Sequence, residues 1–235
     1  MINVVCVKTG DKFSDDYVLN LQEGVTKNVT VNHKFFCYTD KPVPGVECIE
    51  LPMDLGGWWN KMQLFSPETT IRNDTSRYVY FDLDTLIVGN LDWLMGYPGV
   101  FAGIENLGIH NSKYEDVTQY KNQFQSGVMA FNKWNHNITV LWDYFYKNRE
   151  HIMKKFNGDG EFLNDFVLSR HLLQDYYPGK ITSYKYQAYE HGLPPASAIL
   201  CFHGQPSVKE AMTTTVRPWG VEYEPREWVK DYWSV

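Results

Sequence analysis

The stretch Arg77-Tyr78-Val79-Tyr80-Phe81-Asp82-Leu83-Asp84-Thr85-Leu86-Ile87-Val88 constrains this chain more than any other. Tyr78 to Phe81 run without polar alternation into two carboxylates, and a second apolar run, Leu86 to Val88, follows at once. A strand with no polar face is covered on both sides, as in the mainly parallel sheet of an α/β domain, and such sheets bind ligands at the carboxyl ends of their strands. In extended backbone, residues i and i+2 point the same way, so Asp82 and Asp84 can aim at one point. Side by side and unpaired they repel, and one is pushed toward protonation. A divalent cation removes the conflict, because Mg²⁺ and Mn²⁺ take oxygen ligands and are often held by one or two carboxylates plus substrate phosphates. A bare Asp-x-Asp is more often a turn in which one carboxylate caps an amide; the strand context favours the metal reading here.

The flanking segments repeat the α/β pattern. Ile2 to Val7 reads as a first strand, and Tyr17, Val18, Leu21 and Val25 recur at helical spacing behind a cap at Ser14 or Asp15. Phe35 to Tyr38 and Val46 to Leu51 read as strands, separated by the turn Lys41-Pro42-Val43-Pro44-Gly45. Leu55 to Phe65 opens on Gly56-Gly57-Trp58-Trp59 and is expected to be helical; Val100 to Ile104 reads as a strand. Glu105 to Gln123 is polar and aperiodic, a long loop of the kind that carries binding or lid functions. Gln125 to Asn132 resumes β character, and helices are expected over Val140 to Phe156 and from Gly158-Asp159-Gly160-Glu161 through Phe162, Phe166 and Leu168. Ile199 to Gly204 is a late strand stopping at His203. One α/β domain over residues 1–235, with a mixed, mainly parallel sheet flanked by helices, accommodates all of this.

With 22 basic and 28 acidic residues the chain offers no electrostatic footprint for a nucleic-acid backbone or an anionic membrane. Cys6, Cys37, Cys48 and Cys201 are far apart and lack zinc spacing, which suits buried thiols in a reducing compartment. No apolar run approaches the roughly 20 residues of a membrane helix, and Met1 to Val7 lacks a basic leader, so a cytoplasmic protein is expected. The Asn-x-Ser/Thr triplets at Asn28, Asn73 and Asn137 then have no glycosylation role.

In this order the motifs resemble GT-A glycosyltransferases, especially glycogenin-like members of family eight and small bacterial and phage relatives, from Val7 to about Lys209. The resemblance implies a single Rossmann-like nucleotide-binding domain that moves a sugar from a nucleotide sugar, commonly UDP-linked, with Mn²⁺ or Mg²⁺. It gives Asp82 and Asp84 the metal and sets Leu83 against the donor. His203, in Phe202-His203-Gly204, becomes the third metal ligand, with Gly204 beside the phosphates. Val7, Thr9, Tyr17 and Asp40 are placed around base and ribose, and Lys61 beside the phosphates or sugar as a catalytic residue that helps stabilise the departing negative charge. Gln125-Ser126-Gly127 resembles the family's Asn-Ser-Gly segment. Asp159-Gly160-Glu161 resembles its Asp-Gln segment, with Gly160 in place of Gln, which leaves the stereochemical outcome open. Lys209 alone remains to reach a phosphate where a Lys-Pro pair is common.

Displacing a nucleoside diphosphate from an anomeric carbon needs a carboxylate to deprotonate the acceptor or to stabilise the cationic sugar. Asp159 is the first choice and Glu161 the second, although an aspartate there also suits a helix N-cap. The acceptor is open: carbohydrate, protein or a modified nucleic-acid base. Two rivals stand beside transfer. Phe81 to Leu86 also looks like the nucleophile motif of haloacid-dehalogenase-type phosphatases, with Asp82 attacking phosphorus and Asp84 as acid/base, though that motif normally lies on the first strand. A nucleotide-sugar-binding protein without turnover is the other. Among the aromatics, Trp58, Trp59, Trp219, Trp228 and Trp233 offer faces for sugars, most of them expected in the core. Pro225 to Trp233 reads as an amphipathic helix that closes the domain or meets a partner, a homodimer being one arrangement.

Overall fold

A computed structural model describes residues 1–69, 71, 77–111, 116–167 and 170–234; Asn73 and Leu168 lie outside the described residues. The chain runs β1 (Ile2–Lys8), α1 (Asp15–Asn28), β2 (His33–Thr39), β3 (Cys48–Glu50), a 3-10 helix (Gly57–Phe65), β4 (Arg77–Phe81), β5 (Thr85–Ile87), α2 (Asp92–Met95) and β6 (Phe101–Glu105). It continues through β7 (Phe124–Asn132), α3 (His136–Lys155), α4 (Asp159–Phe166), β8 (His171–Leu172), α5 (Leu173–Tyr176), β9 (Ile181–Ser183), β10 (Ile199–Cys201) and α6 (Val208–Thr213).

Seven strands form the main sheet in the order β3-β2-β1-β4-β7-β6-β8. β1, β2, β3 and β4 are mutually parallel, while β7 runs antiparallel to both its neighbours. The sheet is mixed, as expected, and its unalternating strands are explained by cover on both faces. Val4, Cys6, Val79 and Phe81 pack on the α1 side; Val5, Phe36, Tyr78 and Tyr80 pack toward the 3-10 helix and α3. Full burial of each such side chain contributes about 1.5–3 kcal/mol, which is why the two faces hold the sheet as the middle of three layers.

The apolar run after Asp84 is not a continuation of β4. It is β5, which leaves the main sheet for a second, three-stranded sheet ordered β5-β10-β9. Asp82-Leu83-Asp84 is therefore the crossing between two sheets, with Leu83 buried as the pin between them.

The other elements refine the expectations. Gly57–Phe65 is helical, as expected, and winds as a 3-10 helix entered through Gly56 and Gly57 at φ 78° and 50°, conformations that glycine adopts readily. β10 stops at Cys201, so His203 lies past its end with a left-handed φ of 37°. The 105–123 segment carries short 3-10 turns at Leu107–His110 and Thr118–Tyr120. At the C-terminus Glu227–Tyr232 is a 3-10 segment, and Trp233 packs edge-on against Tyr17 at 5.0 Å, closing the domain over α1. No helix among the described residues is long and apolar enough to cross a membrane.

Candidate active site

Strand register creates the site. Phe81 pairs with Val128 across β4 and β7, and the next backbone bond, from Asp82 N–H to the Gly127 carbonyl at 2.8 Å, sets Ser126 and Gly127 beside Asp82. Behind β7 the N-terminus of α4 delivers Asp159, and the 3-10 helix swings Lys61 in from the third side. Lys61 Nζ lies 2.9 Å from Asp82 Oδ1 and 3.3 Å from Asp159 Oδ2, and it donates to Ser126 Oγ at 3.1 Å. Ser126 Oγ in turn donates to Asp159 Oδ2 at 2.5 Å, and Tyr80 OH donates to Asp82 Oδ1.

The electrostatics follow from that geometry. Burial works against the charge on Lys61, but Asp159 and Asp82 outweigh it and hold the ammonium above the usual lysine range. Burial raises the Asp159 carboxyl, with Lys61 opposing. Asp84 is pushed up to about 6 by burial and by the neighbouring Asp82 charge, offset in part by a 3.3 Å bond from Gly204 N–H to its Oδ2. Two carboxylates thus hold one ammonium, while Asp84 has the Asp82 charge for a neighbour and Gly204 N–H for a partner.

Asp82 and Asp84 supply to the cavity the oxygen donors that a divalent cation takes, although Asp82 Oδ1 is already bonded to Lys61 and Tyr80. The imidazole is a different matter. His203 Nε2 shares a 2.7 Å hydrogen bond with Ser183 Oγ at the end of β9, and among the described residues no group of three His, Cys, Asp or Glu side chains is arranged to hold a metal. The expected convergence of Asp82, Asp84 and His203 on one point is therefore not assembled here, because Ser183 competes for the ring nitrogen. Burial, followed by the Lys185 charge, lowers His203 to about 3, so the ring is neutral across the physiological range. All three residues nevertheless line one cavity of about 720 Å³ with Lys61, Ser126 and Asp159.

Asp159 is not the helix cap that the plainer expectation made it, and Glu161 is engaged locally. Gly158, not Asp159, is the N-cap of α4; the Asp159 carboxylate is committed to Lys61 and Ser126 instead. Glu161 accepts from Asn157 N–H at 2.8 Å and Asn157 Nδ2 at 3.0 Å, so it closes the first turn of the helix at the cavity rim. Gln125 also lines the cavity, its Oε1 accepting from Leu107 N–H. Gly160 has room: an added Cβ would meet Ser126 Oγ at 3.4 Å, ordinary contact.

The expected base-binding residues gather only in part. Thr9 Oγ1 accepts from Asn60 Nδ2 at 3.2 Å, and Asp40 Oδ2 accepts from Gly10 N–H at 3.2 Å, so both sit at the carboxyl ends of β1 and β2, where half-buried Val7 also lies. Tyr17 is instead a core residue whose ring meets Phe13 and Trp233 edge-on. Lys209 is turned from the cavity: Asp16 takes its ammonium at 2.6 Å. Of the tryptophans, Trp59 is buried on Phe145, while Trp58 lines the cavity at 56% exposure. Sequence reading missed Ser183 and Lys185, which govern the His203 side; neither carries a motif, and no local signal marks them.

No family model matches the chain, and no curated protein matches it in sequence. Solved structures do match. The glycosyltransferase GlyE of Streptococcus pneumoniae superposes with a TM-score of 0.65 at 14% identity, covering 99% of this chain and 60% of that one. The galactosyltransferase LgtC with donor and acceptor sugar analogs gives 0.55 at 12%, covering 88% and 89%. The bifunctional glycosyltransferase WbbM gives 0.55 at 12%, covering 88% of this chain and 46% of that one. The chain thus spans about three fifths of GlyE, and the fold is that of the GT-A glycosyltransferases.

Proposed function

We propose that this protein transfers a sugar from a nucleotide sugar, most simply a UDP-sugar, with help from Mn²⁺ or Mg²⁺. The observation that supports it is one cavity lined by Asp82 and Asp84, just past β4, and by Asp159 and Lys61, with the Lys61 ammonium shared between Asp82 and Asp159. Asp82 and Asp84 would hold the cation. When bound, the cation supplies positive charge to the leaving diphosphate.

The chain's own residues divide the remaining work. The bond from the anomeric carbon to the diphosphate oxygen breaks as the bond to the acceptor oxygen forms, and the acceptor hydroxyl proton passes to the departing diphosphate. Asp159, facing the cavity with its charge steadied by Lys61 and Ser126, is suited to stabilise the cationic sugar. Lys61 cannot act as a free base, because its proton is held by two carboxylates; its role is to fix Asp82 and Asp159 in place. Gly204 N–H orients Asp84.

The phosphatase alternative uses Asp82 as nucleophile, and the place of Asp82 after β4 disfavours it, since that motif normally lies on the first strand. Binding without turnover keeps one supporting observation, the small Gly160 beside Asp159. A thermal-shift panel of UDP-sugars with and without Mn²⁺ tests the reading, since a ligand that binds only the folded state raises stability with its affinity. A stabilisation that needs both sugar nucleotide and metal, followed by UDP release in the presence of acceptor, supports it. No shift with any nucleotide sugar would overturn it.

A further inference from the structure

Beyond the Asp82/Asp84 cavity lies a second one, also about 720 Å³, which none of the chemistry above uses. Its floor is the turn Tyr184–Ala188 that follows β9, and its outer wall is a small hairpin closed by a bridge between Val216 and Tyr223. At the hairpin tip Trp219 is 79% exposed. Its φ is 51°, left-handed backbone that a bulky residue rarely adopts. The indole is held there by local structure: Pro218 before it, Gly220 after it at φ 78°, and an ion pair between Arg217 and Glu222 across the hairpin. A large aromatic kept in solvent by a strained backbone is not a packing residue.

The geometry points to a binding site for a neutral carbohydrate acceptor, seated against Trp219 with its reacting end directed at His203. A pyranose ring has an apolar C–H face and a rim of hydroxyls, and the cavity offers both kinds of contact. Lys185 Nζ lies 5.2 Å from the centre of the Trp219 ring, and the high exposure of the indole leaves much of its surface for a sugar. Gln187, Glu190 and His191 supply hydrogen-bonding groups around the rim. The mixture of Glu190 and Glu222 with Lys185 and His191 does not favour a polyanion such as a nucleic-acid backbone. At the inner end the Tyr186 ring is 5.3 Å from the His203 ring, and Lys185 Nζ donates to the His203 carbonyl at 3.0 Å. His203, which lines the donor cavity, thus touches two residues that line the second one, and these contacts set a saccharide in the second cavity beside the first.

Its role as acceptor rests on the donor reading above; the binding itself does not, and the experiment separates them. Labelled protein, with no nucleotide sugar present, is applied to an array of neutral oligosaccharides carrying glucose, galactose, mannose and N-acetylhexosamine ends, and hits are titrated by tryptophan fluorescence. The expected result is retention on a subset of glycans, weakened about tenfold or more in Trp219→Ala and partly kept in Trp219→Phe, a loss equivalent to about 1.4 kcal/mol. Trp134→Ala, which removes an exposed indole before α3, leaves binding unchanged. No retention on any neutral glycan, or equal retention by wild type and Trp219→Ala, would overturn the site. Retention without any UDP-sugar stabilisation would keep the site and remove the donor reading.

Discussion

The two walls of the Asp82/Asp84 cavity are built on opposite terms. On the Lys61 wall every charge has a partner: Lys61, Asp82, Asp159 and Ser126 bond to one another on strands and helix ends that belong to the core. On the His203 wall Asp84 is held by one long bond from Gly204, Lys185 reaches a carbonyl and is lowered by burial, and His203 is diverted to Ser183. One wall is complete in its own charges; on the other, the Asp84 carboxyl is raised by burial and by Asp82 with only one long bond to offset it. Charge compensation, more than residue type, separates the two walls.

The sharpest way to break this comparison is Lys61→Met. It leaves Asp82 and Asp159 facing each other, and breaking a buried pair costs about 3–5 kcal/mol. Chemical denaturation should show that loss, and a change below about 1 kcal/mol would mean the wall is not closed as described.

Asp84→Asn should act in the opposite direction on the metal-free protein. A carboxyl raised to about 6 carries its charge at a cost above that pH, so stability falls as pH climbs from the ordinary aspartate range through about 6. With EDTA at pH 7.5, Asp84→Asn should melt higher than wild type and lose the Mn²⁺ response of the UDP-sugar shift. A lower melting point would show that Asp84 supports the fold.

Ser183→Ala releases the imidazole at a stability cost of about 1 kcal/mol for the lost hydrogen bond. If His203 joins the cation, Mn²⁺ affinity measured by titration rises in Ser183→Ala and drops in His203→Ala; unchanged affinity in both restricts the metal to the two carboxylates. Smallest of all, Glu161→Gln keeps an acceptor for Asn157 and should alter stability by about 0.5 kcal/mol or less. Its transfer rate should stay near wild type, whereas Asp159→Asn should abolish most of it.

Much of this was legible in the sequence because it is local. The Asp-x-Asp at a strand end, Asp159 at the start of a helix and the Gln125-Ser126-Gly127 strand each announce themselves within a few residues, and the structure brings Lys61, Asp82, Ser126 and Asp159 into contact. Tyr17 shows the limit. Its helical spacing with Val18, Leu21 and Val25 marked a core position, and core packing prevailed over the role that the resemblance gave it. Five tryptophans looked alike on paper; only tertiary packing sends Trp59 inside and Trp219 out.

The chain by itself determined a covered sheet with an acidic strand end, since both follow from period and from residues one apart. Tertiary structure alone decided what meets that acid: β7 running antiparallel to β4 and β10 pairing with β5 bring Ser126, His203 and Asp159 in from positions far along the chain. It also decided that Ser183 takes the His203 ring and Asp16 takes Lys209. Such choices are competitions between partners distant in sequence, settled by geometry that no local pattern encodes.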